Sequence, residues 1–323
     1  MAEIVNWGIL GAAKFARQHM APAIHAARGA RLAGLATSSP EKFAVFAEFA
    51  PDLKNYDTYD ALLADPMIDA VYIPLPNHLH VEWSKRALAA GKHVLCEKPV
   101  GLTASDAAAL IAARDKSGLF ATEAYMIVHH PQWQRAKALY EQGAIGHLRH
   151  VDGVFSFNNA QDTDNIRNKS VTGGGAIYDI GVYTYGSTRW LTGQDPVAIT
   201  HADLDFEKGV DVTARVSARF DGFRASWMNS MRMHPCQQMR FVGEDGVLTF
   251  RTPFNANVFD QAELELSTQT TQNVERFTGV NQYVLQVEAF CATVRSDAAY
   301  PWHLEDAKAT LQMIQDVFAK AQD

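Results

Sequence analysis

The chain has 323 residues, of which 47% are hydrophobic and 20% charged, and its formal net charge is −7 at pH 7. This balance is typical of a globular protein with one large domain or two of ordinary size. Proteins that coat nucleic acid or an anionic membrane usually carry a basic excess, so the acidic charge disfavours both kinds of partner and a transcription factor.

The sequence also indicates the cellular compartment of the protein. Its apolar runs are shorter and more interrupted than the roughly 20 residues that span a bilayer. No charged segment followed by an apolar stretch opens the chain, so we expect no signal peptide. The three cysteines, Cys96, Cys236 and Cys291, are too few and too scattered for a disulfide framework or a zinc knuckle. We therefore expect a cytoplasmic protein with reduced thiols.

The N-terminal part alternates between short apolar runs and helical patterns. The predicted strands lie at 4–10, 31–36, 70–75, 93–96 and 118–122, and the predicted helices at 14–28, 41–49, 57–64, 80–90 and 105–117. Strands that alternate with helices form parallel β-α-β units, and short all-apolar strands indicate a sheet covered on both faces. Residues 1–122 are therefore predicted to form one domain with a doubly wound parallel sheet.

The pattern changes at residue 123, where longer stretches begin to alternate between apolar and polar residues. Strand-like stretches begin at residue 148 and recur at 210–220, 223–231, 238–242, 246–251 and 264–271, and helical patterns lie at 132–142, 285–294 and 304–321. Alternation joined by short glycine turns favours antiparallel pairing. Residues 123–323 are therefore predicted to form an α+β domain with a large, mostly antiparallel sheet.

A dinucleotide fingerprint follows the first predicted strand. Gly11, Ala13 and Ala16 occupy the three small positions of a G-x-G-x-x-G/A pattern. Such a pattern allows a tight turn, a close approach of the backbone to a pyrophosphate and close helix packing, and the helix N-terminus offers N–H groups to the phosphates. Alanine at the second position weakens the motif, and an ordinary strand-helix turn is the alternative. The expected cofactor contacts in this segment are Gly11, Ala12, Ala13, Lys14 and Phe15.

The end of the second predicted strand bears on the choice between NADP and NAD. An NAD-selective site usually places Asp or Glu here, to bind the ribose 2′-hydroxyl. This chain has Thr37 and Ser38, with Lys42 shortly after them. Hydroxyls and a cation tolerate a 2′-phosphate that a carboxylate would repel, so we expect NADP, with NAD as the alternative. The same residues could also cap the next helix.

A candidate proton-transfer group follows the strand at 93–96, in the segment Glu97-Lys98-Pro99. Ligands of doubly wound sheets bind at the carboxyl ends of the strands, so Lys98 is expected near the nicotinamide. A lysine held near an acid and a dinucleotide can donate or accept a proton at a substrate hydroxyl, with a lowered pKa. A lone lysine in a loop is otherwise a solvated charge.

Four segments together resemble the glucose–fructose oxidoreductase, inositol dehydrogenase and rhizopine catabolism (Gfo/Idh/MocA) family. They lie at 11–13, 74–80, 96–99 and 173–183, and the resemblance covers most of the chain. It implies a Rossmann domain followed by an open-faced sheet domain. It also implies hydride transfer between a nicotinamide and a carbon that bears a hydroxyl, usually on a sugar or polyol.

The resemblance also implies roles for individual residues. Lys98 matches the catalytic lysine of the family, and Asp179 and Tyr183 match its Asp-x-x-x-His/Tyr element. Residues four apart lie on one face of a helix, so Asp179 and Tyr183 can address the same ligand. We expect Tyr183 and Lys98 to handle the proton of the reacting hydroxyl, and Asp179 to accept from a substrate hydroxyl. The alternative is that Asp179 caps a helix and Tyr183 is a core aromatic residue.

Tyrosine at position 183 resembles the branch that includes dihydrodiol and sugar dehydrogenases. Val128 stands where related members often have arginine, which puts a contact at that position in doubt. Further expected cofactor contacts are Pro74, Leu75, Pro76, Asn77, His80, Glu97 and Lys98, and the expected substrate contacts are Tyr125, Arg167, Asp179 and Tyr183. No Cys or His spacing forms a recognised zinc motif, so no metal is expected.

Two other functions on the same scaffold stay open at this point. One is a redox-assisted, non-oxidative reaction with tightly held NAD, and the other is a dinucleotide sensor without chemistry. The presence of Lys98, Asp179 and Tyr183 together argues against a sensor, which needs no proton-transfer group. Because the open face of the C-terminal sheet needs a cover, we expect a homodimer or homotetramer through that sheet, with the strands at 212–220 and 223–231 as candidates.

Overall fold

The computed structural model describes residues 4–256 and 258–323, and the chain divides into two compact units. The first unit consists of Met1–Gly101, Ser105–His129 and Asn281–Ala307, and the second of Leu102–Ala104, His130–Val280 and Lys308–Asp323. A segment near the C-terminus thus belongs to the unit that the N-terminus begins. The prediction of two domains divided at 122 and 123 did not include this return of the chain.

The strands, in chain order, are β1 (Val5–Leu10), β2 (Ala30–Ala36), β3 (Lys54–Tyr56), β4 (Ala70–Ile73), β5 (His93–Cys96), β6 (Ala121–Glu123), β7 (Leu148–Asn158), β8 (Ala198–Glu207), β9 (Val210–Arg219), β10 (Arg224–Ser230), β11 (Arg232–Gly243), β12 (Gly246–Phe250), β13 (Ala262–Thr268) and β14 (Gln272–Phe277). The α-helices are α1 (Ala21–Ala26), α2 (Pro40–Ala47), α3 (Tyr59–Leu63), α4 (His80–Ala89), α5 (Ala104–Ser117), α6 (Pro131–Glu141), α7 (Val182–Thr192), α8 (Gln282–Ser296) and α9 (Leu304–Lys320). Two π-helical turns, Ala16–Met20 and Ile177–Gly181, run directly into α1 and α7.

In the described part of the first unit, six parallel strands form one sheet in the order β3-β2-β1-β4-β5-β6. All four residues of β4 are buried, as expected for a strand covered on both faces. The predicted doubly wound fold is confirmed. Strand β3 was not predicted, because Lys54-Asn55-Tyr56 lacks an apolar run. The strand order reverses between β1 and β4, and such a reversal opens a ligand crevice at the carboxyl ends of the strands.

Helix α8 supplies part of the core of the first unit. The ring of Phe290 packs against Trp7 of β1, with 4.7 Å between the ring centroids. The indole N–H of Trp7 also donates to Cys291 Sγ at 3.5 Å. These contacts explain why the segment from Asn281 to Ala307 belongs with the N-terminal sheet.

In the described part of the second unit, eight strands form a sheet in the order β14-β13-β12-β11-β7-β10-β9-β8. Neighbouring strands are antiparallel except β7 and β10, which run parallel. The predicted mostly antiparallel sheet is therefore confirmed. Helices α6 and α7 cover one face: Trp133 stacks on Phe250 at 4.1 Å, and Tyr185 meets Trp227 edge-on at 5.1 Å.

The apolar and polar residues of β9 divide between the two faces of this sheet. Its apolar residues are buried, whereas Arg215 and Arg219 on the other side are exposed and Ser217 is half-buried. The open side of this strand is therefore polar rather than apolar. No helix within residues 4–256 and 258–323 combines the length and apolarity needed to cross a membrane.

Candidate active site

The turn after β1 has the geometry that the fingerprint predicts. Gly11 adopts a left-handed backbone with φ of 94°, and its N–H donates to the carbonyl of Ala36 at 3.0 Å. A Cβ at this position would lie 3.1 Å from Tyr59 Oη and 3.2 Å from Leu75 Cδ2, so glycine suits both the backbone and the space. The helix begins at once, because the N–H of Arg17 donates to the carbonyl of Ala13 at 3.1 Å.

Two adjoining cavities of about 460 and 400 Å³ surround this turn. Both are lined by Ala12 and Lys42. The larger cavity is also lined by Gly11, Ala36, Thr37, Ser38, Ser39, Asp57, Thr58, Tyr59, Asp60 and Trp83, and the smaller by Lys14, Arg17, Glu41, Val45 and Phe46. The small residues and cations of this recess fit a dinucleotide, and six of the predicted cofactor residues line it: Gly11, Ala12, Lys14, Thr37, Ser38 and Lys42. Ala13 and Phe15 line neither cavity.

An aromatic wall of this recess was not predicted. Tyr59 and Trp83 meet edge-on at 4.8 Å, and the Arg86 guanidinium lies 4.1 Å from the centroid of the Trp83 ring. Arg86 also pairs with Asp60 at 2.5 Å, which balances one of the two aspartates that line the larger cavity. Sequence reasoning missed these residues because they belong to no motif and only the tertiary fold brings them to the recess.

The residues after β2 cap a helix and also line the recess. The Ser39 hydroxyl accepts the N–H of Lys42 at 3.2 Å, and the Thr37 hydroxyl accepts the N–H of Ser39 at 3.2 Å. Ser39 therefore caps α2, whereas Thr37 bonds to Ser39 rather than to the helix. Ser38 is exposed and lies on the cavity wall with Lys42.

The segment that carries Lys98 is tied to the neighbouring strand. The N–H of Glu97 donates to the carbonyl of Ile73 at 3.1 Å, and the Tyr72 hydroxyl donates to Glu97 Oε1 at 2.5 Å. The other carboxylate oxygen of Glu97 accepts the N–H of Lys98 at 3.3 Å. Burial and the Glu97 charge raise the pKa of Tyr72, so its hydroxyl keeps its proton and serves as a donor.

Two buried side chains hold the backbone just after Lys98. Glu123 Oε1 accepts the N–H of Val100 at 2.8 Å, and its Oε2 accepts the indole N–H of Trp302 at 3.0 Å. The ring nitrogens of His80 lie 2.7 Å from the carbonyl oxygens of Pro99 and Leu75. Burial raises the pKa of Glu123 to about 7, against the opposing effect of the nearby Lys98 charge.

These contacts correct two predicted roles. His80 and Tyr125 have no exposed surface. Both ring nitrogens of His80 face backbone carbonyls, and Tyr125 stacks on Trp302 with 4.0 Å between ring centroids. The predictions that His80 contacts the cofactor and Tyr125 the substrate are therefore wrong for this conformation, and both residues instead support the segments around Lys98.

The second unit brings Arg167 and Asp179 together. Arg167 Nε donates to Asp179 Oδ2 at 2.6 Å, with 13% of the Asp179 side chain and 40% of the Arg167 side chain exposed. Asp179 lies in the π-helical turn rather than in the α-helix that the spacing predicted, whereas Tyr183 lies in the first turn of α7. π-Helical turns occur frequently at functional sites.

The surroundings of Tyr183 are aromatic. Its ring centroid lies 5.9 Å from Phe155 and 5.6 Å from Phe254, and only 6% of the residue is exposed. Both interpretations of this residue, as a proton-transfer group and as a packed aromatic, are compatible with such a position. Lys98 belongs to the first unit, and Arg167, Asp179 and Tyr183 belong to the second. No group of three or more metal-ligating side chains occurs among residues 4–256 and 258–323.

Comparison with known proteins identifies the family. Residues 5–125 match the model of the Gfo/Idh/MocA oxidoreductase family with an NAD-binding Rossmann fold, and residues 133–249 match a model of the Gfo/Idh/MocA C-terminal domain. The chain therefore belongs to the Gfo/Idh/MocA family and is an oxidoreductase, which confirms the predicted family, fold class and enzyme class.

Several relatives cover nearly the whole chain. An uncharacterized oxidoreductase from Rhizobium meliloti is 34% identical over 99% of this chain and 98% of its own. A D-xylose 1-dehydrogenase (NADP(+)) from Haloferax volcanii is 31% identical over 98% of this chain and 97% of its own.

Solved structures also match along the full length. A 3-ketoreductase from Actinomadura kijaniata, in complex with NADP and TDP-benzene, is 28% identical with a TM-score of 0.89 over 98% of both chains. An aldose-aldose oxidoreductase from Caulobacter crescentus, complexed with glycerol, is 25% identical with a TM-score of 0.90 over 99% of this chain and 98% of that one.

Replacing Glu123 by Gln is expected to flatten the dependence of stability on pH. Burial raises the pKa of this carboxyl from 4.5 to about 7, so between these values the folded protein holds a proton that the unfolded chain releases. The free energy of unfolding therefore falls as pH rises through this window, by up to about 1.4 kcal/mol per pH unit for one such group.

Chemical denaturation of the wild type and Glu123→Gln between pH 4.5 and 8 measures the two slopes. The exposed Glu48→Gln is a matched control that should keep the wild-type slope. Equal slopes for the wild type and Glu123→Gln would show that Glu123 titrates normally in the folded protein.

Proposed function

We propose that this member of the Gfo/Idh/MocA family is a cytoplasmic NADP-dependent oxidoreductase that interconverts a hydroxyl and a carbonyl group on a sugar or polyol. The observation that carries the proposal is the recess at the carboxyl edge of the parallel sheet. There, the Gly11 turn adjoins Ser38 and Lys42, and the same edge carries Lys98 at the end of β5.

The preference for NADP rests on the residues that follow β2. Ser38 and Lys42 place a hydroxyl and a cation where an NAD-selective site has a carboxylate. The positive end of the α2 helix dipole adds partial positive charge to the same wall. The xylose dehydrogenase relative is an NADP(+) enzyme, and the 3-ketoreductase was solved with NADP, which supports the same preference.

The side chains of this protein would orient the substrate and move its proton. When bound, NADPH would supply hydride to a carbonyl carbon, and NADP⁺ would take it back in the reverse direction. Lys98 and Tyr183 would deliver a proton to the carbonyl oxygen as the alcohol forms, and remove it in oxidation. The four hydrogen bonds around residues 97–100 fix the backbone from which the Lys98 side chain extends.

The second unit would contribute substrate recognition. Asp179 would accept from a substrate hydroxyl, and its ion pair with Arg167 orients it for that purpose. Relatives named for D-xylose, for a dTDP-dideoxyglucose derivative and for 1,5-anhydro-D-fructose support a sugar-type substrate.

A homodimer or homotetramer through the open face of the second sheet is part of this proposal. The open face includes half-buried apolar side chains on four adjacent strands: Val154, Met228, Val242 and Val247. Arg215 and Arg240 flank them, with Asp203 and Asp152 as their respective salt-bridge partners. An apolar centre with a charged surround is the usual composition of a subunit interface.

Replacing Lys42 by Met is expected to weaken NADPH binding selectively. Loss of a cation beside the 2′-phosphate should raise the Kd of NADPH by about fivefold, because a charge contact at an exposed rim contributes on the order of 1 kcal/mol, while the Kd of NADH changes little. Quenching of tryptophan fluorescence during titration measures both constants. The exposed Lys116→Met should leave both constants unchanged. Equal weakening of both cofactors, or of neither, would contradict a 2′-phosphate site at Lys42.

Replacing Lys98 by Met is expected to lower turnover far more than cofactor affinity. Loss of a positioned proton-transfer group typically costs about 10²–10⁴-fold in rate, whereas the recess around Gly11 is untouched. Nicotinamide absorbance during turnover, with a panel of aldoses, ketoses and polyols, measures kcat, and titration measures the Kd of NADPH. An unchanged kcat would show that Lys98 does not transfer the proton. A wild-type enzyme that converts substrate without net absorbance change would instead indicate the non-oxidative alternative.

A further inference from the structure

A buried carboxylate lies under the start of the helical segment that carries Asp179 and Tyr183. Asp211 of β9 is only 2% exposed, and its Oδ2 accepts the N–H of Ile177 at 2.7 Å. The backbone N–H of Ala176 also favours the ionised form of this carboxylate. The first N–H groups of a helix have no partner within the helix, so Asp211 satisfies the Ile177 N–H, which would otherwise lack one.

The glycine loop before this segment leaves the space that Asp211 occupies. Gly175 has a φ of 123°, a backbone conformation that side chains disfavour. A Cβ at this position would lie 2.1 Å from Asp211 Oδ1. The carboxylate therefore fits against bare backbone, and the loop and the strand residue are complementary in shape.

Asp211 is connected to Asp179 through the backbone of the glycine loop. The N–H of Asp179 donates to the carbonyl of Gly175 at 3.1 Å, and the N–H of Gly175 donates to the carbonyl of Arg167 at 3.0 Å. Arg167 in turn donates through its side chain to Asp179. Asp179 is thus held at two points: by Arg167 through its side chain, and by Asp211 through the turn that carries it.

Burial makes this carboxylate costly in its ionised form. It raises the pKa of Asp211 from 3.8 to about 7, against the hydrogen bonds from Ile177 and other backbone N–H groups. A buried charge is tolerated when several donors satisfy it, and the N-terminal end of a helix is favourable for an anion. The contacts thus account for a carboxyl group, rather than an apolar side chain, at this position.

We propose that Asp211 is a positioning residue for the reaction: by holding the backbone at Ile177, it sets the orientation of Asp179 and Tyr183 toward the sugar. This inference rests on the roles proposed above for those two residues. Asp211 itself belongs to the second unit and lines neither of the two cavities around Gly11.

Two variants of different severity test the proposal. Asp211→Asn keeps one acceptor oxygen, and Asp211→Leu keeps none. The control is Thr213→Val on the same strand, which removes a buried hydrogen bond between the Thr213 and Ser230 hydroxyls and leaves the bond from Ile177 to Asp211 in place. All three chains are measured as full-length protein by hydrogen–deuterium exchange over residues 173–185, by NADPH titration and by steady-state kinetics on the sugar identified in the substrate screen.

The proposal predicts graded losses in the Asp211 variants alone. Exchange over residues 173–185 should rise in both, and kcat should fall by about tenfold in Asp211→Asn and about 100-fold in Asp211→Leu, since small displacements of catalytic groups have effects of this size. The Kd of NADPH should stay within twofold of the wild type. Thr213→Val should leave exchange over residues 173–185 and kcat unchanged. If Asp211→Leu does not fold, the comparison between Asp211→Asn and Thr213→Val decides whether Asp211 positions the turn.

Two results would overturn the proposal. Unchanged exchange over residues 173–185 in a folded Asp211 variant would show that the carboxylate does not hold the turn. Faster exchange with unchanged kcat would show that the turn does not position the reaction. A wild type that binds NADPH but turns over no sugar would count against the proposed substrate class instead, and the exchange rates would still decide whether Asp211 fixes the turn.

Discussion

The first unit depends on the parallel alignment of its strands, which sends all their carboxyl ends to one edge of the sheet. Gly11 follows β1, Thr37 follows β2, and Glu97 follows β5. The pairings of β1 with β2 and β4, and of β4 with β5, bring these ends side by side. Residues separated by more than 80 positions thus contribute to one edge without any motif that spans them, because the ladder of backbone hydrogen bonds sets their spacing.

In both units, a buried carboxyl group that accepts a backbone N–H holds the segment that carries the proposed reactive residues. In the first unit Glu123 accepts the N–H of Val100, two residues after Lys98. In the second, Asp211 accepts the N–H of Ile177, two residues before Asp179. Both carboxyl groups are buried and have a pKa raised to about 7 by burial. A carboxyl group has two acceptor oxygens, so it can satisfy backbone N–H groups that no strand or helix pairs. Each of these two carboxyl groups lies beside an irregular segment that carries a proposed reactive side chain.

The sequence predicted the type of most long elements and the recess at the end of β1, but not the ten-residue strand β8. It could do so because apolar periodicity and glycine positions report local backbone geometry. It did not predict β3, whose residues are polar, or the return of α8 to the first unit, which depends on the contact of Phe290 with Trp7. It also assigned His80 to the ligand, because a histidine near a strand end carries no signal of whether its ring faces a cofactor or two carbonyl oxygens.

The preference for NADP over NAD depends on a smaller free-energy difference than the fold does. Lys14, Arg17 and Lys42 line the two cavities, but so do the carboxylates of Glu41, Asp57 and Asp60. Arg86 neutralises the charge of Asp60, and the Ser39 hydroxyl donates to Glu41. The three cations then exceed the two remaining carboxylates by about one charge around these cavities. At an exposed rim, one charge and one helix end each contribute on the order of 1 kcal/mol. The architecture therefore commits the protein to a dinucleotide, whereas the choice between NADP and NAD rests on individual side chains around Lys42.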